Sequence, residues 1–188
     1  MKTLTLALLL ACIALPAAVE PETFTLDPNH TFTIFEYHHL GVSTQRGRFT
    51  KTTGKVTIDT AAKTGSIDVV IDAGSVDVGP PKLSEHLRSA DFFDAARYPN
   101  ATFKSTSFTF DGDKVKTVTG DLTIMGTTKP VTLDASYFNC TTHPQNKKKL
   151  CGGDFTATIK RSEFGMTRAI PAVSDEIVLR ISGEGLKD

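Results

Sequence analysis

The clearest indication of the fold is the stretch TVTGDLTIMGTTKPVTLDASY, residues 117–137. Apolar or small residues alternate with threonine, aspartate or serine in each half, at positions 118, 120, 122 and 124 and then at 131, 133, 135 and 137. A period of two residues is typical of a β-strand with one face buried. The Met125-Gly126-Thr127 link between the halves suits a tight turn, so the stretch predicts an antiparallel β-hairpin.

The same alternation recurs along most of the chain. We predict eight strands, at residues 23–39, 45–59, 64–76, 100–110, 115–125, 128–140, 152–161 and 175–186. Most of them are joined by short links, so an antiparallel meander is the simplest topology. A long meander loses its exposed edges when it closes on itself. The chain is therefore predicted to be all-β, an eight-stranded antiparallel barrel in a single domain.

One short helical insertion interrupts the meander at about residues 80–94. The Pro80-Pro81 pair suits a helix start, and Leu83 and Leu87 place apolar side chains on one face of the helix. The first strand is apolar on both faces, as expected for a barrel wall that a helix covers from outside. We expect this helix to be that cover.

Two adjacent phenylalanines, Phe92 and Phe93, follow the helix in a second turn that Ser89 is expected to cap. Adjacent helical positions point about 100° apart, so one core face cannot easily take both rings. We expect one ring to pack on the barrel wall and the other to reach toward the mouth.

The interior of an eight-stranded barrel is just wide enough to be filled by side chains or to hold one slender ligand. Small residues at inward positions predict unfilled volume here: Gly120, Ala135, Ala157 and, depending on register, Ser105 and Ser107. The chain has 12 Phe and no Trp. This smooth apolar lining suits an aliphatic or unsaturated chain better than a sugar.

Residues 1–18 have the layout of a secretory signal peptide. Lys2 precedes an apolar run over residues 4–15, which is too short to span a bilayer, and small residues follow at positions 17 and 18. We expect cleavage after Ala18, which leaves residues 19–188 as one exported domain. The sequence around Cys12 resembles a bacterial lipid-attachment box, but the apolar run continues past Cys12, so lipoprotein anchoring is the less favoured alternative.

Cys140 and Cys151 form an even pair in an exported chain, and the segment between them is polar and loop-like. We predict a disulfide across a hairpin, which closes a loop of about ten residues. Lys+Arg and Asp+Glu both number 21, so the chain lacks the basic patch of a nucleic-acid-binding protein. No apolar run after the signal approaches the length of a transmembrane segment.

Four stretches together resemble the YceI-like proteins. They are His30-x-Phe32 with Phe35, Tyr37, His39-Leu40-Gly41 and Gly47-x-Phe49; residues 86–93 (HLRSADFF) with Tyr98-Pro99; residues 120–131 (GDLTIMGTTKPV); and residues 161–166 (RSEFGM). The resemblance covers nearly all of the chain after the signal. It implies a lipocalin-like extended barrel, a periplasmic location and a polyisoprenoid or similar long-chain amphiphile bound in the lumen.

On that basis nine side chains are predicted to line the ligand site: Phe35, Tyr37, His39, Phe49, Phe92, Phe93, Phe103, Ile124 and Phe164. Five side chains near strand ends or the helix are candidates for a polar head group: His39, Arg46, Arg48, Arg88 and Lys129. The bound lipid is the only ligand expected. The chain offers no nucleophile with its base and acid, so we expect no enzymatic activity.

Two alternatives to a lipid carrier stay open. His30, Glu36 and His38 share strand parity, and two imidazoles with a carboxylate resemble a metal-binding set. Positions 30 and 36 are, however, roughly 20 Å apart on an extended strand, which argues against one shared ion. The second alternative is a non-lipid interaction protein that uses a face of the barrel. A homodimer is possible under either hypothesis.

Overall fold

The structure is a computed structural model that describes residues 20–188. The predicted signal peptide and Cys12 lie outside the described residues. The first half of the fold contains β1 (Glu22–Leu26), β2 (Phe32–His39), β3 (Ser43–Phe49), β4 (Thr52–Asp59), β5 (Thr64–Asp72), β6 (Val76–Asp77) and the helix α1 (Pro81–Arg88). The second half contains β7 (Asn100–Asp111), β8 (Lys114–Ile124), β9 (Thr127–Thr142), β10 (Lys149–Lys160) and β11 (Glu176–Lys187).

These strands form a closed antiparallel barrel with eight wall positions, as the sequence predicts. β1 and β2 share the first position, because both pair with β11. β3 and β4 share the second, since β3 pairs with β2 and β4 pairs with β1. The wall then runs in chain order from β5 through β7 to β11, and the pairing of β11 with β1 and β2 closes it.

The first two predicted strands are each broken once. Between β1 and β2 the chain turns at Asp27, whose carboxylate accepts the backbone N–H of Asn29, and Pro28 has no N–H to give to a sheet. Between β3 and β4 the N–H of Thr50 bonds the carbonyl of Ser75 instead of a neighbouring wall strand. The breaks let the two long strands bend around the barrel.

The hairpin of residues 117–137 is confirmed. Ile124 pairs with Thr127, so only Met125 and Gly126 form the turn. Both have positive φ, 50° and 75°, which is the backbone of a type I′ turn. This turn matches the right-handed twist of the strands that it joins.

A β-bulge changes the predicted face of one aromatic residue. The β9–β10 register shifts between Ala135 and Tyr137, so one extra residue enters β9 there. Because side chains alternate with a period of two, this insertion reverses the parity beyond it. Tyr137, predicted to face inward, is 59% exposed, and Phe138 lines the interior in its place.

A second bulge occurs in β7, between Ser105 and Ser107. The Ser105 hydroxyl accepts the backbone N–H of Ile67 at 2.7 Å, and Ser107 is exposed. Neither residue lines the cavity, and neither do the small residues at positions 120, 135 and 157. The prediction that these positions create the free volume is wrong; at Gly120 the ring of Phe103 occupies the space, 2.6 Å from where a Cβ would be.

The helix lies across one end of the barrel rather than outside its wall. Leu83, His86 and Leu87 all line the internal cavity, so the prediction of an external cover over β2 is wrong. Ile34 on the outer face of β2 instead lies opposite Arg48 and Arg180, whose aliphatic stems can cover it. No helix within residues 20–188 is long and apolar enough to cross a membrane.

The turn after the helix also differs from the prediction. α1 ends at Arg88, and Ser89 is its C-terminal cap, with the hydroxyl donating to the carbonyl of His86 at 2.7 Å. Ser89 therefore does not cap a second helical turn. Residues 89–94 form a non-helical turn in which the N–H of Phe93 bonds the carbonyl of Leu87 at 3.0 Å.

The predicted disulfide is confirmed between Cys140 and Cys151. The two residues lie directly opposite each other in the β9–β10 pair. The bond therefore joins the two strands of one hairpin near the barrel end that is opposite α1.

Candidate ligand-binding lumen

The barrel encloses a cavity of ≈ 550 Å³. Pockets that bind small molecules typically measure about 300–1,000 Å³. Residues from every wall position contribute to the lining, and most of them are aliphatic or aromatic. Along β11 the lining extends from Ile177 to Gly185, roughly 27 Å at the rise of an antiparallel strand. The cavity is therefore long and apolar.

All nine predicted site residues line this cavity: Phe35, Tyr37, His39, Phe49, Phe92, Phe93, Phe103, Ile124 and Phe164. Burial raises the pKa of the Tyr37 phenol, so this group stays neutral across the physiological range. The structure places these side chains on one continuous surface. Their contact with a ligand stays a prediction.

An aromatic cluster lines the half of the cavity that is nearer to α1. The Phe93 ring meets Phe49 edge-on at a centroid distance of 5.2 Å and Phe35 at 6.3 Å. Phe35 also stacks on Tyr37 at 6.2 Å. Gly47 makes this packing possible, because a Cβ there would lie 2.2 Å from the Phe35 ring.

The two adjacent phenylalanines use different neighbours. Phe92 is 8% exposed and packs edge-on against His86 of α1 at 5.0 Å. Phe93 is half-buried and packs on the wall residues of the aromatic cluster. The turn at residues 89–94 thus directs both rings into the end of the barrel, one toward the helix and one toward the wall.

The cavity opens at the end that carries α1. Five lining residues are exposed to solvent, and all five lie at this end: His39, Gln45, Leu83, His86 and Ala169. Lining residues at the disulfide end are buried or half-buried. We call the surface formed by these five residues the mouth.

Exposed apolar side chains surround the mouth. Leu40 is 63% exposed and Val42 83% exposed, both in the turn after β2, and Ile170 is 36% exposed in the segment that precedes β11. Four of the five large apolar residues exposed within the described chain lie at this end, Leu83 being the fourth. Clustered exposed apolar residues mark surfaces that contact apolar partners or ligands.

Glycines widen the opposite half of the lumen. Gly153, Gly183 and Gly185 all line the cavity, and Gly153 pairs with Gly183 across β10 and β11. A Cβ at Gly183 would meet only the Cγ2 atom of Thr31, at 3.9 Å. Position 183 therefore faces open space inside the barrel.

Sequence reasoning missed Arg161, a buried cation that lines the lumen near the mouth. Its guanidinium donates to four backbone carbonyls at 2.9–3.0 Å, those of Met166, Arg168, Val173 and Ser174. The side chain is 5% exposed, and burial lowers the pKa of the guanidinium. The available signal was its register: position 161 continues the inward parity of Ala157 and Ile159.

Three threonines supply neutral polar groups to the lining. Thr31, Thr33 and Thr52 are 3%, 6% and 2% exposed. The Thr31 hydroxyl donates to the carbonyl of Glu184 at 3.4 Å. The Thr52 hydroxyl is the only buried side-chain polar atom in residues 20–188 that has no hydrogen-bond partner.

The structure does not bring the alternative metal set together. Glu36 is on the outer face and accepts from Arg46 at 2.7 Å and from Arg180 at 3.0 Å, which lowers the pKa of its carboxyl group. His30 bonds Asp27 at 2.7 Å, and His38 bonds Thr44 at 3.3 Å. Among residues 20–188 no group of three His, Cys, Asp or Glu side chains could hold a metal ion.

The structure does not bring the candidate head-group side chains together in the lumen either. Arg46 pairs with Glu36 and Arg48 with Asp77 at 3.6 Å, both outside the lumen. Arg88 donates to the carbonyl of Val76 at 3.4 Å. Arg88 and Lys129 do not line the cavity. Of the five candidates only His39 does.

A closed eight-stranded barrel with one open, apolar lumen defines a class of small ligand-binding barrels. The profile of the YceI-like domain matches residues 24–185. The chain belongs to the YceI-like family.

Relatives and solved structures agree with this assignment. Protein YceI of Escherichia coli O157:H7 is 39% identical over 159 residues, which cover 84% of this chain and 82% of that protein. BcnA of Burkholderia cenocepacia has a similar structure, with a TM-score of 0.72, 27% identity and coverage of 85% of this chain and 98% of BcnA. The Campylobacter jejuni YCEI protein has a TM-score of 0.72 at 29% identity, covering 80% of this chain and 90% of that one.

A polyisoprenoid binding domain from Saccharophagus degradans shares the fold. Its TM-score is 0.63 at 16% identity, and the match covers 88% of this chain and 98% of that domain. At this identity the similarity is one of fold.

Proposed function

We propose that this protein holds one long-chain amphiphile, a polyisoprenoid or a similar lipid, in its lumen and acts as a carrier or store rather than as an enzyme. The observation that carries the proposal is the ≈ 550 Å³ apolar cavity that opens at one end. An apolar chain gains roughly 0.8 kcal/mol for each CH₂ group that leaves water. About ten buried groups would therefore supply a gross 8 kcal/mol, before the costs of association.

The location of the ligand follows from the shape of the cavity. The chain of the amphiphile lies along the glycine-lined half near the disulfide, and its polar end stays at the mouth, where water reaches His39 and Gln45. The exposed apolar residues around the mouth give the ligand a continuous apolar path from a lipid surface into the lumen. The proposed compartment is the periplasm, which agrees with the Cys140–Cys151 disulfide and with the family resemblance.

Native mass spectrometry of the full chain, purified after export from the producing cell, tests this proposal. The expected spectrum shows the mature protein with one bound lipid that organic extraction removes. The extracted protein should then bind a polyprenol, an isoprenoid quinone or a fatty amide with one-to-one stoichiometry and a raised unfolding temperature. An unloaded mass, together with no binding and no stabilisation by any of these compounds, contradicts the proposal.

A further inference from the structure

The charge on the cavity wall has one sign. Within residues 20–188 no Asp or Glu lines the cavity, whereas Arg161 does. The barrel exterior differs, because cations there have carboxylate partners beside them, as Arg46 and Arg180 have in Glu36. The lumen therefore contains a buried positive charge without a matching acid on its surface.

The partners of Arg161 are neutral. An arginine side chain has five N–H donors, and four of them are used on backbone carbonyls. One N–H of the Nη2 atom has no acceptor among the described residues. Asp175 is the carboxylate whose charge acts on Arg161, but its two oxygens accept from the backbone N–H and the hydroxyl of Ser162, each at 2.8 Å.

A buried cation with neutral partners has a cost of desolvation that an anion nearby can offset. In a water-poor lumen the attraction between opposite charges is several times stronger than in water. A guanidinium also binds carboxylate and phosphate oxygens with directed hydrogen bonds. A cationic head group in the same place would be repelled, and a neutral one would gain one ordinary hydrogen bond.

We infer that the mouth end of the lumen is a head-group site for an anion, a carboxylate or a phosphate on a long apolar chain, with Arg161 as the group that selects its charge. This inference rests on the proposed lipid binding and narrows it from amphiphiles in general to anionic ones. Fatty acids and polyprenyl phosphates are within the class, and alkylamines are not.

Three ligands that share the same hydrocarbon chain and differ in the charge of the head group test the inference. Hexadecanoate, hexadecanamide and hexadecylamine are titrated, below their aggregation concentrations, into the full-length mature protein after lipid extraction, with displacement of a fluorescent fatty probe as readout. The expected order of affinity is carboxylate, amide, amine, with at least about tenfold between the first and the last. Hexadecyl phosphate should join the carboxylate, and acetate, which has no chain, should not compete. Equal affinities, or the amine bound most tightly, overturn the inference.

A charge placed at the mouth gives a matched pair of variants. Gln45→Glu adds one negative charge among the exposed residues of the mouth, and Gln145→Glu makes the same change in the turn at the opposite end of the barrel. Gln45→Glu is expected to reduce the preference for hexadecanoate over hexadecanamide several-fold, while Gln145→Glu leaves the preference at its wild-type value. No difference between the two variants would overturn a head-group site at the mouth.

Arg161 itself is tested by two substitutions. Arg161→Lys keeps the charge and should retain a preference for the carboxylate, whereas Arg161→Gln should bring carboxylate and amide to equal affinity. If either variant fails to fold, the ligand series on the wild type and the comparison of Gln45→Glu with Gln145→Glu still test the inference. Failure of the lipid-binding proposal looks different, because then neither the fluorescent fatty probe nor any of the long-chain ligands binds to the wild type or to any variant.

Discussion

Gly183 is the single residue whose substitution most directly fills the lumen. Its position faces open space and its φ is not positive, so a larger side chain fits there without backbone strain. Gly183→Leu is expected to lower the affinity for a long-chain ligand at least about tenfold, because its side chain occupies space the ligand chain needs. The free energy of unfolding should change by less than about 1 kcal/mol.

The matched control is Thr158→Leu, which adds the same side chain to the exposed face of β10. Binding by this variant should equal binding by the wild type. Unchanged affinity in Gly183→Leu would show that no ligand reaches the half of the lumen near the disulfide.

Thr52 is a position where a substitution is expected to stabilise the protein. Its buried hydroxyl has no partner, and a buried unsatisfied hydroxyl costs about 1–3 kcal/mol. Thr52→Val keeps the shape and removes that cost, so the unliganded protein should become more stable by about 1 kcal/mol in urea unfolding. Thr31→Val is the comparison, because it removes a hydroxyl that bonds Glu184, and it should not stabilise. A destabilised Thr52→Val would mean that the hydroxyl is satisfied in solution.

The helix α1 and the turn at residues 89–94 cover one side of the mouth. Phe93→Ala removes a ring that packs against Phe35 and Phe49 and opens the cover. We expect ligand dissociation to accelerate at least about fivefold and stability to fall by about 2–4 kcal/mol, which stopped-flow displacement and urea unfolding measure. Because Phe93 is packed in the aromatic cluster, Phe93→Asp should destabilise the fold more than the same substitution would at an unpacked residue of the mouth.

Phe32→Ala is the control for this prediction. Phe32 is a half-buried phenylalanine of β2 that does not line the cavity. Phe32→Ala should reduce the free energy of unfolding without changing the rate of ligand dissociation. Equal dissociation rates in the two variants would show that the turn at residues 89–94 does not retain the ligand.

The elements that the sequence predicts best are those with unbroken alternation. The β8–β9 hairpin is an example, since its pattern and its two-residue turn agree. The period-two pattern cannot reveal an inserted residue, so the bulge near Ser136 reverses the assigned faces of Tyr137 and Phe138. The position of α1 could not be predicted either, because an apolar stripe shows which face of a helix is buried but not which surface it packs against.

The site, like the fold, can be predicted from the sequence only in part. The aromatic residues of the lumen follow from strand parity together with the family motifs, and all nine line the cavity. The inward parity of position 161 is readable in the sequence, but the burial of its arginine is not, because that burial depends on four carbonyls of a loop whose path the local pattern does not specify.

Ion pairs between side chains link β11 to the first wall strand, where strand pairing closes the barrel. Glu36 on the outer face of β2 bonds Arg46 of β3 and Arg180 of β11. Glu22 of β1 bonds Lys149 of β10 and, at 2.8 Å, Lys187 of β11. These cations lower the pKa of both glutamates from an ordinary value of 4.5. The folded state therefore favours the charged carboxylates.

A carboxyl group with a lowered pKa in the folded state stabilises the fold above its ordinary pKa and loses that contribution as the pH falls. Glu36→Gln should thus reduce the free energy of unfolding at pH 7 by up to about 1 kcal/mol. The difference from the wild type should shrink as the pH falls below 4.5. Urea unfolding between pH 7 and pH 3 measures it, with the exposed Glu163→Gln as control. A difference that does not depend on pH would contradict the assigned role of these pairs.

A lipid chain inside the barrel should be visible in a crystal structure of the protein loaded with a long-chain lipid. We expect continuous density that begins at the mouth, passes Phe93 and Arg161 and extends to Gly183, with the barrel wall unchanged. Density for the lipid on the outer face, or a lumen that side chains fill completely, would contradict it.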